Sequence, residues 1–181
     1  GETSTWGESL TPTIVNDADF GIGIAFKKNG AADGAVTFSV DAIALTIWYM
    51  RGLTLQSTAK SVGNYTQRTA QSAYFTSLSN ITTSNDAYAT GTWQTGGGAD
   101  DNTTQIWTYG YGFSIPRNAI ISGIVATVEH KESNTADNAD DTLVQLMQAF
   151  VAVGNDLQQA NALEYPTSDT VDYYGGPGDD W

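Results

Sequence analysis

Residues 36–49 read VTFSVDAIALTIWY, and the way their apolar side chains alternate decides the fold. Val36, Phe38 and Val40 occupy one parity, whereas Ile43, Leu45, Ile47 and Tyr49 occupy the other. Neighbouring side chains of a strand point to opposite faces, so each run by itself describes a strand with one buried side. The parity switches at Asp41-Ala42. If both runs are to face one core, an extra residue is needed there, which predicts a β-bulge or a bend between sheets. The strand is expected to end at Tyr49.

The same period of two recurs upstream in residues 20–26, FGIGIAF, with Phe20, Ile22, Ile24 and Phe26 on one face and small residues on the other. Glycines in such a strand imply close approach of another backbone. Residues 27–34 read as a turn, and the polar residues 51–72 as an extended arm with at most a short strand. Further strands are expected at 88–93, within the aromatic stretch 103–113, at 120–130 and at 143–153. The last is nearly continuous in apolar residues and hence central to a sheet. Loops are expected at 95–102, at 115–118, over the acidic residues 131–141 and from 164 onward, with one or two helical turns at 156–163. About eight strands separated by Gly, Asn and Asp turns predict an all-β, antiparallel β-sandwich, jelly-roll-like, forming a single domain over residues 1–181.

Composition narrows the chemistry. The chain has no Cys, so disulfides, thiolate metal sites and Cys nucleophiles are excluded. Seven Lys and Arg against 20 Asp and Glu give a net charge of -13. Binding to nucleic acid phosphates needs the opposite sign, so no direct nucleic-acid partner is expected. No apolar run of membrane-spanning length and no signal-peptide pattern is read, so no membrane partner is expected either.

The single histidine, His130, stands between Glu129 and Lys131 with no G-x-S-x-G elbow in the chain. It reads as a solvated strand-end residue rather than a general base. The acidic pairs Asp100-Asp101 and Asp179-Asp180 lie in Gly- and Asn-rich text and read as solvated loops. The chain is therefore expected not to be an enzyme and to need no cofactor. Calcium is the cation it would suit best. Asp137, Asn138, Asp140 and Asp141 are the densest set of hard oxygen ligands, and a plain solvated charge run accounts for the same residues. Trp93, Trp107, Tyr109, Tyr111, Tyr173 and Tyr174 are candidates for subunit-interface or glycan contact, with burial in the core as their other fate.

A resemblance adds to this reading. Residues 111–116 read YGFSIP, followed by NAIISGI at 118–124 and a long strand ending in charge. The two ends, YGGPGDDW at 174–181 and GETSTWGESLTP at 1–12, read as halves of one loop, and Met50 follows a strand as a former chain start would. Taken in the order 50–181 then 1–49, these motifs resemble small β-rich structural proteins of tailed bacteriophages, in circularly permuted order. The likeness covers about residues 73–181 and 1–49. It implies a virion component, a capsid decoration (cement) protein or a head or tail appendage, located at the virion surface or outside the cell. Its implied partners are copies of itself and other virion proteins such as the major capsid protein. The composition leaves open an extracellular filament subunit assembling by strand addition, and a glycan-binding module.

Overall fold

A computed structural model describes residues 10–29, 35–68, 73–93, 103–133, 138–153 and 166–176. The protein is an antiparallel β-sandwich of two sheets. The first sheet runs β10 (Val151–Ala152), β9 (Asn138–Gln148), β1 (Phe20–Asn29), β7 (Ile106–Tyr109), β4 (Asn64–Gln67). The second runs β11 (Thr170–Gly175), β8 (Ile120–Glu132), β2 (Val36–Arg51), β6 (Ala89–Trp93), β5 (Phe75–Thr76), with β3 (Thr54–Ser61) also paired to β2. One helical turn, α1 (Pro12–Val15), precedes β1; Thr11 caps it by accepting the Ile14 N–H, and Pro12 supplies the preset φ of a first helical position. The expected sandwich is thus present, with eleven strands among the described residues rather than about eight. The finer jelly-roll winding is not established by these sheet orders.

β2 organises the second sheet. Its register against β8 shifts between Val40 and Ala42, which makes Asp41 the bulged residue. Val36, Phe38 and Val40 before the bulge and Ile43, Leu45, Ile47 and Tyr49 after it are all buried, as the parity switch requires. The Asp41 carboxylate is itself buried and accepts the backbone N–H groups of Asn85 (3.0 Å) and Asp86 (3.1 Å), tying the bulge to the loop that precedes β6. Between the sheets, Phe26, Phe38 and Phe75 form a triad with ring centroids 4.0, 5.8 and 6.4 Å apart.

Several expected boundaries move. β1 continues to Asn29 instead of turning at Lys27, and β2 continues through Met50 to Arg51, so Met50 is paired with Leu55 and Ile120 inside a hairpin. The expected polar arm at 51–72 is instead largely β3 and β4. Every side chain of β3 is exposed or half-exposed, so it has no apolar face to betray it; backbone pairing to β2 makes it a strand. The acidic stretch 131–141 is entered by β8 and β9 from either side, and β9 ends at Gln148 in a turn, not at 153. β11 lies where loop was expected, and only 106–109 of the stretch 103–113 is strand. The stretches 95–102 and 156–163 and the joined ends, 1–9 and 177–181, lie outside the described residues.

Two glycines permit close backbone approach around the end of β7. A Cβ on Gly21 would lie 1.7 Å from the Thr108 carbonyl oxygen, and one on Gly63, where the chain passes from β3 to β4, 2.1 Å from that of Gly110. Both obstacles are backbone and cannot rotate away. Nearby, the buried Tyr111 hydroxyl pairs with Thr108 Oγ1 at 2.6 Å, and Thr108 donates to the Ile22 carbonyl.

Two outcomes are expected. Phe38→Ala empties the centre of the triad and should cost about 3–5 kcal/mol in denaturant unfolding, whereas Leu53→Ser, at 99% exposure, should change stability negligibly. Burial raises the Tyr111 hydroxyl above its ordinary range, with the Thr108 hydrogen bond acting in the opposite sense. The folded state then holds this proton more tightly than the unfolded chain, so its contribution is complete below about pH 10 and is lost as pH rises further. Alkaline unfolding curves of Tyr111→Phe should fall less steeply above that pH than those of the parent; identical slopes would refute the assignment.

Candidate functional site

The predicted site residues separate into three places. Asp137 lies outside the described residues, and Asn138 opens β9. Asp140 and Asp141 are not in a loop. They sit within β9 opposite Lys27 and Phe26, and both are buried. As neighbours in a strand they point to opposite faces, so the structure does not bring them together around one ion. Among the described residues no group of three or more His, Asp or Glu is placed to hold a metal. The expected calcium set is not assembled by these residues, because pairing with β1 draws the acidic stretch into the sheet.

Three of the six aromatic candidates are core residues. Trp93 and Tyr174 are at 1% and 0% exposure, and Tyr111 is enclosed with Thr108. Trp93 pairs with Val36 at the sheet end, and Tyr174 shares the inward parity of Ala126 on β8. Their expected surface role is corrected accordingly. Trp107 and Tyr109 are half-buried on the outer face of the first sheet, where a residue the sequence reading passed over, Phe150, joins them. Phe150 stacks on Trp107 at 5.0 Å and meets Tyr109 edge-on at 5.4 Å, and the Arg68 guanidinium stands 5.9 Å from the Trp107 ring centre. Gly23 forms the floor, since a Cβ there would lie 3.2 Å from the Trp107 ring. The faces of Trp107 are thus engaged by the chain itself.

Phe150 is held in place by an unusual turn. Val151 pairs with Gln148, leaving Ala149 and Phe150 as a two-residue hairpin loop with φ of 49° and 63°. This is the both-positive pattern that favours Asn-Gly, and each left-handed non-glycine residue costs about 1–2 kcal/mol.

His130 also departs from expectation. It is fully buried, with Nε2 2.9 Å from an Asp172 carboxylate oxygen and its ring stacked 5.8 Å from Phe38. The signal was present in the sequence: Val128, His130 and Glu132 continue the inward parity of Ile124 and Ala126. A histidine–carboxylate pair is a familiar acid–base arrangement, but at zero exposure no substrate reaches this ring unless the sandwich opens. Beside it the core turns polar. Lys28 is at 0% exposure and Glu132 at 2%, both are partnered, and Glu132 accepts the Ala139 N–H at 2.8 Å.

The remaining candidate is the outer face of the second sheet. Leu55, Met50 and Ile120 are in register across β3, β2 and β8, and so lie in one row on one face. Leu55 is 54% and Ile120 70% exposed, and Leu53 caps the hairpin tip. Trp48, two residues back along β2, is half-buried on the same face above Gly123. Further along, Tyr173 is 66% exposed beside Val171, and a shallow groove of about 200 Å³ is lined by Ala42, Ala44, Ser61, Thr127, Glu129 and Val171. The chain from 42 to 85 contains Arg51, Lys60 and Arg68 and no acid, although the whole chain carries 20. The hairpin is thus an apolar, weakly basic projection from an acidic body. No family model, curated protein or solved structure matches the chain.

Ala149→Asn places in the turn a residue that tolerates a left-handed backbone. It should raise the free energy of unfolding by about 1 kcal/mol and leave Phe150 in place, a gain readable as a higher melting temperature. A loss of stability would mean that the turn is not under this strain.

Proposed function

We propose that the chain is a non-enzymatic structural subunit of a virion surface, of the capsid-decoration or head- or tail-appendage type, working by gripping neighbouring subunits. The observation that carries this reading is the apolar row Leu55, Met50 and Ile120 with Leu53 at the hairpin tip, of which Leu53, Leu55 and Ile120 are exposed and Met50 is half-buried, on a chain that is otherwise strongly acidic. Exposed apolar residues in a contiguous set mark a contact surface, whereas scattered ones do not. The motif resemblance supplies the virion context. The enclosure of His130 and the separation of Asp140 from Asp141 in β9 favour a mechanical role over turnover. A lasting clamp needs about 800 Å² buried per partner, and repetition by symmetry multiplies the effect of each contact. The acidic remainder of the surface suits a particle that must stay dispersed.

A second reading, a filament subunit joined by strand addition, is favoured by one observation: among the described residues β3 and β11 each pair on one side only.

Antibodies against the chain, applied with gold label to purified particles, should decorate them at regular positions. The double variant L53S/L55S should reduce the number of copies retained on the particles at least tenfold without altering the circular dichroism spectrum. Unlabelled particles accompanied by free soluble protein would sink the virion assignment.

A further inference from the structure

We infer that the second sheet is built to continue from one copy of this chain into the next, with β3 of one copy pairing antiparallel with β11 of its neighbour. The inference rests on the assembly reading above and names the partner of its hairpin surface as a second copy of the chain.

Three observations lead to it. First, among the described residues the sheet has two open sides. β3 is eight residues long, and among the described residues it is hydrogen-bonded only to β2; β11, at the opposite edge, is bonded only to β8. Proteins normally blunt such edges with Pro, bulges or inward charges. β3 contains neither Pro nor Gly and has a single charge, Lys60; β11 has no Pro, and its one charge, Asp172, is turned inward to His130 and leaves the outer row Val171 and Tyr173 uncharged. Edges left this regular are suited to being covered.

Second, the strand directions fit. β11 is antiparallel to β8, β8 to β2, and β2 to β3. β3 therefore runs opposite to β11. A second copy set alongside in the same orientation presents its β11 antiparallel to β3, with the inner and outer faces of both sheets matching. On the outer face, the exposed Leu55 and Ala59 of one copy then continue into Val171 and Tyr173 of the next.

Third, charge selects this pairing over the alternatives. Residues 42–85 carry three cations and no acid, while residues 166–176 carry Asp169 and Asp172 and no cation; Asp169 also meets Lys131 of β8 at 3.7 Å and Asp172 meets His130, so the sign at this edge is acidic but partly offset. Pairing β3 with a second β3 would bring Lys60 and Arg51 of both copies together. Pairing β11 with β11 would do the same with the acids. Only the head-to-tail arrangement sets opposite signs across the seam, and like charges across strands are destabilising. A head-to-tail contact closes into a ring or extends as a filament, depending on the rotation between copies.

The absence of Cys makes the test direct. Ala59→Cys and Tyr173→Cys both change exposed outer-face positions, and within one copy they are three strand spacings apart, at least about 14 Å. A bismaleimide shorter than that distance joins them only between copies. The double variant should give a ladder of dimers, trimers and larger species, whereas either single variant should remain monomeric on denaturing gels. Charge reversal at Lys60, K60D, should cut the ladder several-fold. Val171→Cys replaces Tyr173→Cys should that variant fail the circular dichroism check. Dimers from Ala59→Cys alone would show β3 pairing with itself and overturn the inference, as would monomers from the double variant at every protein concentration. Labelled particles without a ladder would sink this seam and leave the virion reading standing; a ladder without labelled particles would do the reverse.

Discussion

The fold depends on the extra residue in β2. Without Asp41 in the bulge, the register of the second half of the strand would slip by one and turn Ile43, Leu45, Ile47 and Tyr49 from the core to the outside. Each such side chain contributes about 1.5–3 kcal/mol when buried. Four of them match the whole net stability of an ordinary domain, about 5–15 kcal/mol. The bulge is therefore specified, and its side chain shows how: two backbone N–H groups of the loop before β6 converge on the Asp41 carboxylate, and the residue that supplies one of them, Asp86, has a left-handed φ of 60°.

Along the sandwich the interior changes character. The phenylalanine triad is held by area and shape alone. His130 leans on that triad through Phe38 while its other side meets Asp172, and beyond it Lys28 and Glu132 occupy positions that parity assigns to the interior. An enclosed charge costs several kcal/mol unless its partners are well placed. This end of the sandwich is consequently fixed by the geometry of particular pairs, such as Glu132 with the Ala139 N–H, and tolerates little repacking.

The sequence was legible where one face of a strand is apolar. Parity marks β1, β2 and the break at Asp41, and the number of strands with their Gly, Asn and Asp turns marks the sandwich. It was illegible where that signal vanishes or is outvoted. β3 has two wet faces, so its Thr- and Ser-rich text gives no period. β11 is too short for alternation to stand out. The acidic run around Asp140 and Asp141 resembles a solvated loop, yet pairing with β1 carries both residues into the sheet. At His130 the flanking charges Glu129 and Lys131 mask the inward parity it shares with Val128. Of the aromatic candidates, composition alone could not separate Trp93 and Tyr174, which face inward, from Tyr173, which faces out. Phe150 carries no signal in the sequence because its contact with Trp107 is made by a left-handed turn that no local preference announces.

The close approach at Gly63 has a mechanical consequence. β3 is bound along β2, and immediately after it the chain passes the Gly110 backbone and becomes β4, bound along β7 in the other sheet. A pull on the projecting hairpin is thus not resisted by one strand unzipping from its neighbour. The load divides at Gly63 and enters both layers at once, as shear across many hydrogen bonds. A subunit loaded from outside would transmit tension through its whole thickness before any single ladder gave way.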